Sequence, residues 1–299
     1  GNQLTPFEIS AADYEENRHF FLSHFFRDNY DRSMAQLPNI TSGIKINRVE
    51  VWVTNKTGAT NNTRNIVAFA DLGESRHIGN ALWSGNGQDQ PQNTSNTLYA
   101  TITGSYAAAR DISLTSSTLD GIGNFVGGTD YEKLESARML SSSEYTVNNA
   151  LGYISLKSAL QTDQVLAVAY EYTYRGQNFQ VGEFSTDVKD NTQALFVKAI
   201  KNTSNVPAMP NWKLMMKNVY SLNATRVQKD RFRLDVKILS DTTGVYLTYL
   251  PEPGLKNTPL VRLMNLDRLD NNNKANPNGY FDFVDGYTID ASTGRICFP

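Results

Sequence analysis

A twelve-residue motif occurs twice in this chain and limits what it can fold into. Tyr145-Thr-Val-Asn-Asn-Ala-Leu-Gly-Tyr-Ile-Ser-Leu156 aligns without gaps on Tyr287-Thr-Ile-Asp-Ala-Ser-Thr-Gly-Arg-Ile-Cys-Phe298. Tyr, Thr, Gly and Ile are identical at matching positions, and Val147/Ile289, Asn148/Asp290 and Leu156/Phe298 are conservative. The pattern predicts a strand, an Asx-type turn closing on glycine, and a second strand. Gly152 and Gly294 are then expected in the left-handed region, where a Cβ is resisted. A hairpin used twice is scaffold vocabulary rather than catalytic vocabulary. The second copy stops at Pro299, so the chain is expected to be a piece of a longer protein, with Gly1 read as a cloning remnant.

The bulk composition excludes several classes. A chain of 299 residues with net charge −2 and scattered Lys and Arg carries no basic stripe for nucleic acid. Charged residues are only 19%, while 15 Tyr and 14 Phe accompany abundant Asn and Thr, which suits β-structure with polar loops. One cysteine, Cys297, rules out an intrachain disulfide and a thiolate cluster. No apolar run is long enough for a transmembrane helix, and the opening Gly-Asn-Gln does not read as a signal peptide, so the natural start is expected upstream.

Along the chain, Ser10 as a cap, Asp13 and Glu15 in a first turn, and Leu22, Phe26, Tyr30, Met34 and Leu37 at helical spacing predict one long helix over residues 11–37, stopped by Pro38. It is expected to dock through Phe21, Phe25, Phe26 and Met34 onto the sheet that holds Val49, Val51 and Val53. Ile44 and Ile46 alternate, the phase slips at Asn47-Arg48, and Val49, Val51 and Val53 resume, which predicts a β-bulge. Residues 66–72 read as a strand pairing back on this one, residues 84–95 as a mobile polar loop, and Arg175-Gly-Gln-Asn178 as a hairpin turn. Phe232, Leu234, Val236 and Ile238 alternate with Arg231, Arg233, Asp235 and Lys237, the clearest half-buried strand in the sequence. Short helices are expected over residues 212–221 and 260–269. The fold class is β-dominated α+β, with antiparallel, sandwich-like sheets, one long N-terminal helix and short helices. The Gly-rich stretch 120–128 predicts a boundary between residues 1–128 and 129–299, or one domain throughout.

No constellation demands chemistry. His19 and His24 are five apart, off one helical face, and no HExxH follows, so they read as polar residues on a helix flank. Neither GxSxG nor a correctly spaced dinucleotide fingerprint is present. A hydrolase would need a cleft joining His77, an acid and Ser84. Residues 267–282 concentrate oxygen ligands, and Asp267, Asp270 and Asp282 are calcium candidates. Lys274 falls where an EF-hand register from Asp270 needs an oxygen, so an Asx-turn-rich loop is the favoured reading. The Asn-X-Ser/Thr sequons, such as Asn39 and Asn202, are expected by chance in so Asn/Thr-rich a chain.

Several blocks together carry a family resemblance. They are Asp13-Tyr, His19-Phe-Phe-Leu and Phe26-Arg-Asp-Asn-Tyr-Asp-Arg32; Ser42-Gly-Ile and Arg48-Val-Glu-Val-Trp-Val-Thr-Asn55; the first hairpin copy; Val165-Leu-Ala-Val-Ala-Tyr-Glu-Tyr-Thr-Tyr174 with Val181-Gly-Glu-Phe184; and Met264-Asn-Leu-Asp-Arg-Leu269 with Pro277-Asn-Gly-Tyr-Phe-Asp-Phe283. In these blocks the chain resembles the SprA/Sov family, the outer-membrane translocon of type IX secretion and gliding motility in Bacteroidetes. The resemblance implies a very large β-barrel pore with soluble insertions, and no catalytic residues or cofactor. Mean hydropathy of −0.43 and the lack of serial lipid-facing alternation place this segment outside the barrel wall. The expectation is a soluble, monomeric, non-enzymatic extramembrane domain at the cell envelope. It would shape or gate the pore and contact secreted proteins, partner subunits and the rest of its own polypeptide. The alternative is a cell-surface adhesin or glycan-binding domain, with Trp83 as the residue to stack on a sugar.

Overall fold

The computed structural model describes residues 6–252, 254–255 and 258–299; Gly1 lies outside the described residues. The chain divides into two compact units. The larger comprises Glu16–Asn29 and Gly43–Met216, and the smaller Gly1–Glu15, Tyr30–Ser42 and Lys217–Pro299. Strands from both sides of residue 128 share the main sheet of the larger unit.

The larger unit holds β1 (His19–Phe21), α1 (His24–Ser33, whose last turn belongs to the smaller unit), β2 (Ile44–Val53), β3 (Thr63–Phe69), α2 (Leu98–Ser105), α3 (Thr115–Asp120), β4 (Tyr131–Met139), β5 (Tyr145–Asn148), β6 (Tyr153–Leu156), β7 (Leu166–Tyr174), β8 (Gln177–Val181) and β9 (Leu195–Lys201). Its main sheet runs β2-β4-β3-β9-β7-β8, and β2 also pairs with β7. The sheet therefore closes on itself through β2, β4, β3, β9 and β7, which corrects the sandwich-like expectation. Small side chains permit the closure. Ala68, Ala137, Ala167, Ala169 and Ala199 pack with Trp52, Ile66, Val165, Leu195 and Val197 in one buried cluster. A ring of few strands has a narrow interior, and alternating small alanines with larger side chains fills it.

β7 explains how the other face is covered. Residues 166–170 are all buried, a run expected of a strand enclosed on both sides. Its outward Tyr170 and Tyr172 meet the ring of Phe26 edge-on at 5.9 and 5.3 Å. The bulge expected at Asn47-Arg48 is present, as a register shift between Ile46 and Arg48 against β7. The hairpin turn expected over Arg175-Gly-Gln-Asn178 is present but shorter: Arg175 and Gly176 both take positive φ and close β7 onto β8, while Gln177 and Asn178 are already in the ladder.

Three further expectations for this unit need correction. Residues 11–37 are not one helix. Asn17 takes φ 57°, and His19–Phe21 instead pairs antiparallel with Tyr153–Leu156 as a third strand on the first hairpin. Four successive residues, His19 to Leu22, are thereby buried, which a helical stripe cannot achieve. Only residues 24–33 remain helical, started by the Ser23 hydroxyl accepting from the Phe25 amide at 3.1 Å. Second, β3 does not pair back on β2. β7 takes one edge of β2 along its length, and β4 inserts between β2 and β3. Third, residues 84–95 are anchored in their second half. Tyr172 donates to the Pro91 carbonyl at 2.6 Å, and Asn93 joins Gln180 and Gly182.

The smaller unit holds β10 (Val219–Ser221), β11 (Ile238–Leu239), β12 (Tyr246–Leu247), α4 (Leu260–Leu263), β13 (Ile289–Asp290) and β14 (Arg295–Cys297). Instead of the helix expected over 212–221 there is one 3-10 turn, Trp212–Leu214, followed by β10; the helix expected over 260–269 is the single turn α4. Leu222, Leu234, Val261, Leu266, Phe281, Ile289 and Ile296 form the core of this unit.

The two motif copies are the same structure. Each is an antiparallel hairpin, β5–β6 and β13–β14, and each gains a third strand, β1 and β10 respectively, on the same edge. The Leu22 amide donates to the Gly152 carbonyl, and the Leu222 amide to the Gly294 carbonyl. Gly152 and Gly294 have φ of 74° and 68°. A Cβ on Gly152 would lie 2.4 Å from the Phe26 ring, and one on Gly294 would strike the Ala224 carbonyl oxygen.

Candidate functional site

A cluster of buried titratable side chains in the larger unit lies where β9, the segment after β3 and α1 converge. Lys198 points outward from the closed sheet and is fully buried. Its ammonium donates to the Ala70 carbonyl and lies 3.4 Å from Glu74 Oε1. The same carboxylate oxygen accepts from the His24 backbone amide at 3.2 Å and lies 3.3 Å from His24 Nδ1. Burial pushes the Glu74 carboxyl up, but Lys198 and then His24 outweigh it and hold the group at about 2. His24 Nε2 lies 3.1 Å from the Pro210 carbonyl, which can only accept. Both ring nitrogens therefore face acceptors. His77 stacks on His24 with centroids 5.0 Å apart and bonds Asp28 at 2.5 Å, half-exposed.

This centre contradicts the reading of His19 and His24 as polar residues on a helix flank. Both are buried; His19 lies on a strand and faces the Ser155 hydroxyl at 2.7 Å. His77 does find an acid, Asp28, while Ser84 directs its backbone amide to Thr97 Oγ1. Lys198, Glu74 and His24 leave no face open to a substrate, so the arrangement pins the segment after β3 against α1 and β9.

The same device recurs. Glu183 receives Arg110 through two guanidinium nitrogens at 2.9 and 2.7 Å, Tyr99 at 2.7 Å and the Phe196 amide at 2.7 Å, with Arg110 also 4.1 Å over the Phe196 ring. Burial, then Glu183, raises the Tyr99 phenol. Arg64 donates to the carbonyls of Ser185, Val188, Asp190 and Gln193. Lys201 donates to those of Thr162, Gln164 and Asn202, and burial pushes it down to about 8. The buried charges of Arg64 and Lys201 serve loop backbone, a requirement that any internal turn imposes.

The calcium candidates fall in the smaller unit and are engaged by backbone as well. Asp267 accepts from the amides of Asn278 and Gly279 at 2.9 and 2.7 Å, and Asp282 from those of Arg268 and Leu269 at 2.6 and 2.9 Å. Burial raises the Asp282 carboxyl to about 6. Asp270 accepts from the amides of Asn272 and Lys274, an Asx turn. Trp83 is buried at 6% exposure against Phe125, so it presents no face to a sugar. Exposed large apolar residues concentrate instead in the smaller unit, at Ile238, Leu239, Val245, Tyr246 and Tyr249.

A family model described as motility related/secretion protein, SprA_N, matches residues 1–189. The chain belongs to the SprA_N family. No curated protein matches it. The SprA_N match contains the first hairpin copy, β1, β2 and β7, while the second copy lies beyond it. Among the described residues no helix is long and apolar enough to cross a membrane. The features that sequence reasoning missed in this SprA_N chain are its charge centres. Lys198 and Lys201 did carry a signal, since each interrupts the apolar run Ala194-Leu-Phe-Val-Lys-Ala-Ile-Lys201 of a strand.

Proposed function

We propose that this chain is a structural, non-enzymatic extramembrane domain of a large outer-membrane protein-export channel of the type IX secretion and gliding-motility kind. It shapes or gates the channel mouth and meets secreted proteins and partner subunits at the cell envelope. The observation that carries the reading is membership in a motility and secretion family. The chemistry of the buried charges supports it. Arg64 and Lys201 act on loop backbone, and Glu183 ties Arg110 and Tyr99 to strand β9, as expected of a rigid scaffold rather than a catalytic cleft.

The test is an in-frame replacement of residues 43–216 by a flexible linker in the full-length channel gene. Secreted protein in the medium and colony spreading are measured beside the amount of channel in the outer membrane. Channel present with export and spreading lost is the expected result. Unchanged export and spreading with the linker in place would overturn the proposal.

A further inference from the structure

The likeness between the two halves of the repeat extends past the hairpins, and it exposes a strand without a partner. The turn residue Asn149 accepts a bond from the Ile46 amide at 2.9 Å, and its counterpart Ala291 accepts from the Val227 amide at 2.8 Å. Ile46 and Val227 are thus equivalent entries into the next segment. After Ile46 comes the bulge of β2, and after Val227 comes the 3-10 turn Lys229–Arg231. Alternating apolar residues follow in both, Val49, Val51 and Val53 in one and Phe232, Leu234, Val236 and Ile238 in the other.

β2 is laddered to β7 from Ile44↔Tyr174 to Val53↔Leu166. Residues 232–237 have the burial of a strand and none of its ladder. Leu234 is buried, Phe232 and Val236 pack on the core of the smaller unit, and Arg233, Asp235 and Lys237 are exposed. Among the described residues the backbone groups of 233–237 make no hydrogen bond, although extended strands are normally paired or blunted. The strand that sequence analysis reads most clearly is therefore present over 232–237 as a segment of alternating burial, with no ladder on either edge among the described residues.

We propose that residues 232–237 accept an added strand from another protein, antiparallel, in the place β7 occupies on β2. The chemistry of the guest follows from that pairing. It is an extended segment with apolar or aromatic side chains at alternate positions. An acidic residue sits opposite Arg233 or Lys237, as Glu171 of β7 sits opposite Arg48. A second copy of this chain is a poor donor. Its own β7 is already held by β2 on one edge and by β8 and β9 on the other. The exposed Ile238, Leu239, Val245 and Tyr246 flank the free edges and widen the apolar contact. This inference stands independently of the export reading.

The probe is a fluorescent peptide of sequence Leu-Ala-Val-Ala-Tyr-Glu-Tyr-Thr-Tyr, flanked by lysines, titrated into the 299-residue chain. Saturable anisotropy should accompany slowed hydrogen exchange at the amides of 233–237. Successive amides point to opposite edges, so Asp235→Pro removes a donor from one edge and Val236→Pro from the other. One of the two should weaken binding at least about tenfold, while circular dichroism of both stays as wild type, since neither amide is bonded in the free chain. If one variant unfolds, the other and the exchange map still decide. Absence of saturable binding, or binding without protection at 233–237, overturns the proposal. So does protection that rises with protein concentration without peptide, which would assign the edge to a second copy. Protection already complete in the full-length channel would assign it to the channel's own polypeptide and equally overturn a donor from another protein.

Discussion

Glu74→Gln is the most informative single substitution in the larger unit. It keeps the side-chain shape and removes the charge that faces Lys198 at 3.4 Å and His24 at 3.3 Å. Lys198 is then fully buried beside a neutral amide. Breaking a buried pair by removing one member costs about 3–5 kcal/mol. At about 2–4 °C per kcal/mol for a unit of this size, the melting temperature should fall by roughly 6–20 °C. The pH dependence gives a second measure. Glu74 titrates at about 2 in the folded protein against an ordinary 4.5. A depressed carboxylate stabilises fully above its unfolded value and loses that contribution as pH falls from 4.5 towards 2, about 3 kcal/mol in all. That part of the acid limb should be missing from the glutamine variant.

Tryptophan fluorescence isolates the unit, because Trp52, Trp83 and Trp212 all lie within it. Urea melts of wild type, Glu74→Gln, Lys198→Met and the double variant form a cycle. Removing both partners together should cost less than the sum of the single losses by about 2 kcal/mol or more. A single loss below about 1 kcal/mol, or strict additivity, would refute the view that this centre pins the segment after β3.

Phe26→Ala should destabilise the larger unit by about 3–5 kcal/mol, since the ring is buried against Tyr170 and Tyr172; a loss below about 1 kcal/mol in the same melts would make α1 peripheral. Gly294→Ala should cost more than the roughly 1 kcal/mol of a left-handed glycine in open space, because its Cβ would strike Ala224, and Gly176→Ala, with nothing near it, is the control. Asp282, raised to about 6, binds a proton more tightly folded than unfolded, so the smaller unit should lose on the order of 1–2 kcal/mol as pH rises from 4 to 6; hydrogen exchange at Ile289 and Ile296, corrected for intrinsic rates, reads this, and an opposite slope would refute it. Millimolar calcium should leave calorimetric melts unchanged against chelator, because Asp267 and Asp282 already accept backbone amides through both oxygens; a rise of several degrees abolished by Asp270→Asn would show a ligand loop.

What was legible in the sequence was local. The twin hairpins, the bulge at Asn47-Arg48 and the Arg175-Gly176 turn each follow from backbone demands of a few adjacent residues. What failed depended on distant partners. Residues 19–22 carry a helical stripe, yet the open edge of Tyr153–Leu156 gives them ladder bonds and burial on both faces, and no spacing rule registers an edge that is more than a hundred residues away. The closure of the sheet was hidden for the same reason, since its inward alanines look neutral until β2 meets β7. The charge centres were concealed by composition. A chain with 19% charged residues gives no charge run to notice, and Lys198, Glu74 and His24 gain meaning only when three elements converge.

Residues 232–237 show the converse case. Their alternation predicts a half-buried strand, and the burial follows that period while the ladder does not. Alternation encodes the face that a strand turns to its core, and hydrogen bonding depends on what lies beside it. The equivalent segment, β2, has both terms satisfied, because β7 lies along it. The difference between the halves is therefore one of neighbours, since the apolar period is the same. A guest that supplies a lateral edge would bring the second half to the state of the first without altering a side chain of its core.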